Sequence, residues 1–342
     1  MKRSIWVGLG LVVSLLCCSI SLKAQDEEAP SKWEISGYVK YLHSTTFTGL
    51  PASLLGSPLS TTFLHNRLNV HYYPSSKWTI AVEARNRLFY GDGQQIKLDS
   101  SFVDQIDQYP GVFDLSVRWV DNKYAFLHSV IDRAYFRYSH EKWEVTLGRQ
   151  RINWGINTIW NPNDVFNALN FLDFDYEERP GSDAIRIQYF PGLLSRIEVA
   201  VAPGRYDSTT VAAALYRFNL KGYDVQVLSG YFRGDYTIGG GWEGNLSGAG
   251  FKGEMSYFTP IENFSSDTTD AFGATVALDY LLSNGVYVSG GALYNSRGDF
   301  AGGGGFGNNL AGGSLSAKNL FPATWTFVAS ASGNFTPLWS GN

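Results

Sequence analysis

This sequence predicts an all-β chain folded as an antiparallel transmembrane β-barrel, and three observations carry that expectation. Polar and apolar residues alternate strictly along many segments of about ten residues. The connections between those segments alternate short and long. A secretory leader stands ahead of them.

The leader comes first in the chain. Lys2 and Arg3 give a positive start, Ile5 to Ile20 an apolar run, and Ser21-Leu22-Lys23-Ala24 a small residue where a signal peptidase cuts. That order is the secretory signature. Residues 1–24 are therefore expected to be removed and residues 25–342 to form the barrel. Two alternatives stay open. An uncleaved anchor helix is one, because the apolar run approaches spanning length. A lipoprotein signal is the other, because Cys17 and Cys18 end the run, although Leu16 stands where a lipobox takes a small residue. Cleavage after Ala24 removes Lys2, Arg3 and Lys23, so the formal charge moves from −4 to −7, and both cysteines leave with the leader. A mature chain of that kind has no disulfide and no thiolate metal ligand. Its mild acidity argues against nucleic acid, which calls for a basic face.

Composition narrows the class further. Aromatic residues make up 15% of the chain, charged residues 17%, and there are 37 glycines. After the leader no stretch offers the roughly 18 uncharged apolar residues that a helical span needs. No Pro/Ser-rich linker divides the chain, so one large domain is expected.

The strands follow in order. Leu64, Leu68, Val70 and Tyr72 share one face, and His65, Arg67, Asn69 and His71 the other. From Trp78 to Arg85 the even positions are apolar and the odd positions continue polar through Arg87. The pattern returns as Ile185, Ile187 and Tyr189 against Arg186 and Gln188, and as Ile197, Val199 and Val201 against Arg196 and Glu198. It returns again with Asp224 and Gln226, with Lys252, Glu254 and Ser256, and with Thr275 and Asp279 on the polar side. Side chains on a strand alternate between faces, so each segment is half apolar and half polar. About fourteen strands are expected, at 33–46, 61–73, 78–90, 126–138, 143–151, 184–190, 195–202, 209–218, 223–233, 236–246, 249–258, 270–282, 286–296 and 323–335. The stretch 236–246 is the weakest, because Gly239-Gly240-Gly241 loosens a strand. Pro337 to Asn342 reads as a further tight turn rather than a closing aromatic strand. Either the barrel closes atypically or further strands follow, and the second expectation gives 16 or more in the complete protein.

A soluble sandwich also alternates, and three features set the chain apart from one. The apolar faces begin or end on Trp, Tyr or Phe, as aromatic girdles do. Tight turns at 74–77, 139–142, 191–194, 219–222 and 283–285 are interleaved with long polar or Gly-rich stretches near 47–60, 91–125, 152–183, 259–270 and 297–322. Short periplasmic turns and long outer loops are the asymmetry of outer-membrane barrels. The leader supplies the route. Only helices and closed barrels satisfy the backbone in lipid, and helices are excluded. The expected location is the outer membrane of a Gram-negative cell.

Motifs with other meanings fall away. Gly302-Gly303-Gly304-Gly305-Phe306-Gly307 matches G-x-G-x-x-G but lies in a Gly/Asn loop without the βαβ context that motif needs. The five histidines lack metal-ligand spacing, and no Gly-x-Ser-x-Gly elbow occurs. No enzyme, no metal and no cofactor are expected. The polar faces are more informative. They carry Arg67, Glu83, Arg85, Arg87, Arg133, Arg137, Arg186, Arg196, Glu198 and Arg217. Two readings stay open: ladders that brace the wall, and a cationic stripe that selects anionic or polyhydroxylated solutes.

The densest constellation is Leu147-Gly148-Arg149-Gln150-Arg151-Ile152-Asn153-Trp154-Gly155, followed by Asn161-Pro162-Asn163-Asp164-Val165-Phe166-Asn167. It resembles the G-R-Q-x-x-x-W-G … N-P-x-D-x-F-N pattern of porin-like outer-membrane barrels, a group that includes Bacteroidetes barrels of unassigned function and is distantly similar to the alginate-export type. Ser316-Ala317-Lys318-Asn319-Leu320-Phe321-Pro322 resembles a second block of the Bacteroidetes members. The resemblance implies an outer-membrane channel or a surface-polysaccharide role.

The residues of the block support concrete expectations. Continued alternation after Val145 and Leu147 places Arg149 and Arg151 in lipid, so either a bulge at Gly148 re-aims them inward or the strand has cleared the bilayer. Asn161-Pro162-Asn163-Asp164 can cap a short helix through Val165, Phe166 and Leu169. A loop this long is uncommon unless functional. Residues 152–183 are expected to fold inward and narrow a pore, with Asp164, Asp173 and Asp175 pairing with Arg149, Gln150 and Arg151 at the mouth; an outer cap over the rim is the alternative. The partners expected are outer-membrane lipid, the insertion machinery, and hydrophilic small solutes or saccharides. A plug domain has no room before the first strand. A rival function is a barrel that merely anchors polysaccharide-binding loops.

Overall fold

The computed structural model describes residues 31–46, 59–91, 112–167, 181–298 and 316–341, apart from 123, 263, 266, 267, 337 and 338. The leader, Asp173 and Asp175 lie outside these residues. Sixteen strands are present: β1 (Trp33–Thr46), β2 (Leu59–Ser75), β3 (Trp78–Tyr90), β4 (Ser116–Asp121), β5 (Ala125–His140), β6 (Trp143–Gln150), β7 (Ser182–Gly192), β8 (Ser195–Ala202), β9 (Val211–Leu220), β10 (Tyr223–Phe232), β11 (Asp235–Leu246), β12 (Ala249–Pro260), β13 (Ala271–Leu281), β14 (Tyr287–Asn295), β15 (Trp325–Thr336) and β16 (Trp339–Gly341). Each pairs antiparallel with its sequence neighbours, except that β4 leaves the path and pairs with β5 alone. Fourteen of these match the expected strands. β4 falls within the expected long loop 91–125, and β16 within the expected terminal turn 337–342. Among the described residues no ladder joins β1 to β15 or β16.

The tight turns are built by residues that accept a left-handed backbone. Lys221-Gly222, Arg233-Gly234 and Ser247-Gly248 all have positive φ at both positions. That is the type I′ geometry whose twist matches two antiparallel strands.

The outward face is apolar and solvent-accessible along its length. Val82, Leu147, Ile185, Val199, Val227, Ile238, Met255 and Leu278 all stand exposed on it. A continuous apolar surface of this kind is costly in water and free of cost in lipid. Aromatic pairs edge it at both ends. Trp33 on Tyr72, Trp78 on Tyr138 and Trp143 on Tyr189 lie 4.3, 4.7 and 4.5 Å apart, centre to centre, at the tight-turn end. Phe272, Tyr294 and Trp325 form a matching row at the long-loop end, with centres 6.1 and 4.8 Å apart. Two girdles flanking an apolar band are the solvation pattern of a membrane barrel.

One irregularity matters for the interior. The β3–β5 register runs Glu83 opposite Arg133, then Ala84 opposite Ile131, so Asp132 is an extra residue in β5. Below this bulge the odd residues face inward; above it the even residues do, beginning with Asp132 and continuing through His128 and Phe126, all buried. The expected bulge at Gly148 is absent, because β6 keeps a continuous register with both neighbours there. The bulge sits one strand away and does the same work of turning charge inward.

Candidate functional site

The inner face is where the unusual residues gather. On β2, β3 and β5, Arg67 donates to Asp132 at 2.8 Å and to Glu83 at 2.5 Å, and Arg85 donates to Asp132 at 3.1 Å. His71 contacts the other oxygen of Glu83 at 3.1 Å. Arg87 lies 3.5 Å from His128, and Arg133 donates to the Asp132 carbonyl at 2.8 Å. Arg67, Arg85, Arg87 and Arg133 are all buried, whereas the Arg137 side chain keeps 34% of its surface and approaches Glu144 at 3.5 Å. The arginines do cluster as their parity predicts, but carboxylates are interleaved among them. The cluster is a compensated network rather than a bare basic stripe. Asp132 is its centre, and periodicity alone assigns it to the lipid face.

Arg149 and Asp183 form a second clasp. Asp183 stands opposite Arg149 across the β6–β7 ladder, and Arg149 Nε donates to its carboxylate at 2.8 Å. The Arg149 guanidinium also donates to the carbonyls of Ile131 and Phe113, while the Phe113 N–H donates to Asp183. The two side chains thus pair with the backbone ahead of β4 as a strand would, at the height where β6 ends. Gln150 Nε2 donates to the carbonyls of Thr146 and Ala184, both at 3.0 Å. The described carboxylate partner of Arg149 is Asp183, on the next strand. Arg151 follows the strand and is exposed.

After Arg151 the chain turns inward. Residues 151–167 pack against the inner faces of β7 to β13 and contain turns only, so the helix expected from Asn161 does not form across the described residues. The Asp164 N–H closes a turn onto the Asn161 carbonyl at 3.1 Å instead. Ile152, Trp154, Val165 and Phe166 are buried with Ala184, Ala200, Leu215, Leu228 and Phe258 of the wall. These apolar side chains lead the loop inside because the wall offers them an apolar floor of alanines with Leu215, Leu228 and Phe258.

Wall polar groups fix its position. Glu198 on β8 accepts the Trp154 indole N–H at 2.6 Å while also holding Arg186 at 2.7 Å and Gln188 at 3.0 Å. Gln226 on β10 donates to the Trp154 carbonyl at 2.6 Å. Glu254 on β12 accepts the backbone N–H groups of Ile156, Asn157 and Asn163. Ser256 donates to Asn163 Oδ1 at 2.7 Å, and Asn163 Nδ2 donates to the Gly240 carbonyl at 2.9 Å. In these contacts the wall supplies the carboxylates and the loop the backbone and indole donors. Asp164 is fully buried within this region.

Two of the three consecutive glycines of β11, Gly239 and Gly241, acquire a purpose here. A Cβ at Gly239 would lie 2.5 Å from Ser256 Oγ and 2.7 Å from Asn163 Oδ1, and one at Gly241 would lie 2.9 Å from Ile156 Cδ1. The strand is regular across them, with its register to β10 and β12 unbroken. Bare backbone is what lets the loop approach so closely.

A second inward segment meets the first. Lys318 bridges to Asp235 on β11 at 2.7 Å, and Asn295 on β14 donates to the Phe321 carbonyl at 2.6 Å. Trp160 and Leu320 are buried together with Leu293 of β14. The two blocks that carry the family resemblance therefore meet inside the wall.

No known family model matches this chain, and a search of curated protein sequences finds no relative. A comparison with solved structures returns distant likenesses to outer-membrane proteins. OmpF of Salmonella typhi, in complex with daunomycin, is 11% identical over 89% of this chain and 86% of its own, with a TM-score of 0.47. A variant of OccD1 (OprD) is 9% identical over 88% of this chain and 70% of its own, with a TM-score of 0.48. A loop-deleted OmpT, an outer membrane protein of Vibrio cholerae, is 9% identical over 79% and 85%, with a TM-score of 0.42. Identities this low describe a similar arrangement of strands and nothing finer.

Proposed function

We propose that this chain is an outer-membrane channel through which hydrophilic solutes pass between the inward loop and the arginine-bearing wall of β2, β3 and β5. The observation that carries the reading is the clamping of residues 151–167 to the inner wall by Glu198, Gln226 and Glu254 behind an apolar, girdled exterior. A loop fixed inside a lumen sets its bore. Anionic or saccharide solutes suit the wall, because Arg137 and Arg196 keep 34% and 24% of their side chains exposed while Arg67 is held between two carboxylates. The partners implied are lipid outside, the insertion machinery during assembly, and the solute inside. Purified protein in a planar bilayer gives the test. Deleting residues 160–178 should raise single-channel conductance while insertion is retained; conductance at the parent value would remove the loop from the constriction.

A second reading has one observation in its favour. The loop and wall bury a shared apolar core around Trp154 and Phe166, which suits an interior filled for rigidity and a barrel that anchors surface loops that bind or assemble polysaccharide. An anchor passes no current, so the same recording separates the two.

A further inference from the structure

We infer that residues 316–322 are a latch that holds the inward loop at its working depth, so that the Lys318–Asp235 ion pair sets the bore. The inference rests on the channel reading and adds the element that regulates it.

The segment is tied at both ends. Between β14 and β15 it is anchored by Asn295, whose side chain holds the Phe321 carbonyl and whose N–H donates to the Thr324 carbonyl at 2.8 Å. From there it reaches to β11, three strands away, where Lys318 Nζ meets Asp235 Oδ2 at 2.7 Å. Ser265, from the loop after β12, donates to the other Asp235 oxygen at 3.1 Å. A turn closed by mutual 3.0 Å hydrogen bonds between Ser316 and Asn319 holds Lys318 at its tip.

The inward loop lies beneath this strap. Phe321 meets Trp160 edge-on at 6.4 Å. Leu320 and Pro162 converge on the backbone of Gly273, where a Cβ would sit 3.2 Å from Leu320 Cδ1 and 3.6 Å from Pro162 Cβ. Ala317 is buried in the same cluster as Trp154 and Phe166. Glu198 and Glu254 hold the loop from the wall side, and the strap covers it from the other. The lysine is 11% exposed and the aspartate 3%, so losing the lysine leaves a buried carboxylate with Ser265 as its other described partner and loosens the strap.

Thiol labelling reads this without requiring current. In a background with Cys17 and Cys18 changed to Ser, Ala317→Cys reports the strap and Val165→Cys the loop, both being buried. Adding Lys318→Met should speed labelling at both positions by at least roughly tenfold, and the swap of Lys318→Asp with Asp235→Lys should slow it again. A heat-modifiable band checks that each variant is inserted and folded. Faster labelling at residue 317 with residue 165 still protected overturns the latch, as does no change at either. Recordings then divide the claims. If the wild type conducts and Lys318→Met conducts more, both hold. If the wild type conducts and Lys318→Met matches it, the latch fails alone. If the wild type passes no current while labelling responds as expected, the channel reading fails and the strap stands as a cover on a packed interior.

Discussion

Arg67 on β2 and Arg137 on β5 share the inward face of the sheet, one strand apart, yet should answer substitution in opposite ways. Arg67→Gln leaves Asp132 with Arg85 as its remaining cation among the described contacts, and Glu83 with His71. Breaking one side of a buried network costs about 3–5 kcal/mol, so the folded band should be lost at markedly lower urea or temperature. Arg137 is a third exposed and 3.5 Å from Glu144. Its replacement by Gln should cost less than about 1 kcal/mol, yet lower anion preference in reversal-potential measurements. If Arg137→Gln leaves the reversal potential unchanged, that arginine only braces. Individual residues were unevenly legible in the sequence. Arg67, Arg85 and Arg87 follow from strict alternation. Asp132 does not, because a one-residue bulge inverts parity and leaves no compositional mark.

At the level of the strand, β11 tests whether glycine was kept for the strand or for its guest. Gly239→Val should leave β11 paired, since valine favours strands, but its side chain would occupy the place of Ser256 Oγ and Asn163 Oδ1. The expected outcome is an intact barrel with a displaced loop, read as raised conductance and an unshifted heat-modification temperature. Loss of the folded band instead would mean that the glycines serve the ladder itself. Strand propensity marked 236–246 as weak because it prices a residue against its own ladder and is blind to what docks on the face. The same local view missed β4, whose six residues are embedded in a long connection and extend the wall only because β6 stops at Gln150. It also placed a helix at Asn161, where Glu254 takes the backbone N–H groups of Ile156, Asn157 and Asn163.

For the whole molecule, the apolar band and its two girdles predict a heat-modifiable band in the outer-membrane fraction. Recovery of the mature chain as a soluble periplasmic monomer would overturn the membrane assignment. This scale was the most legible. Alternation, turn asymmetry and terminal aromatics are repeated over the whole chain, so a local error in one strand does not erase them. The inward path of the loop was legible through one physical cue: Val165 and Phe166 have no business in water, and the wall gives them apolar shelter. What they would touch was not legible, because the receiving surface is assembled from seven strands, β7 to β13, scattered over nearly a hundred residues.

Glu254 grips the loop by main-chain amides, and that has a consequence for how such a protein can diversify. A carboxylate that recognises backbone N–H groups is indifferent to side-chain identity, whereas the Asn157 and Asn163 side chains are themselves bound to Thr275 and to Ser256 and Gly240. Substitution at the exposed Thr158 beside them can leave that mount unchanged. The inner wall behaves as a socket for the loop's backbone, so selection can rewrite the exposed side chains of the loop without renegotiating the scaffold.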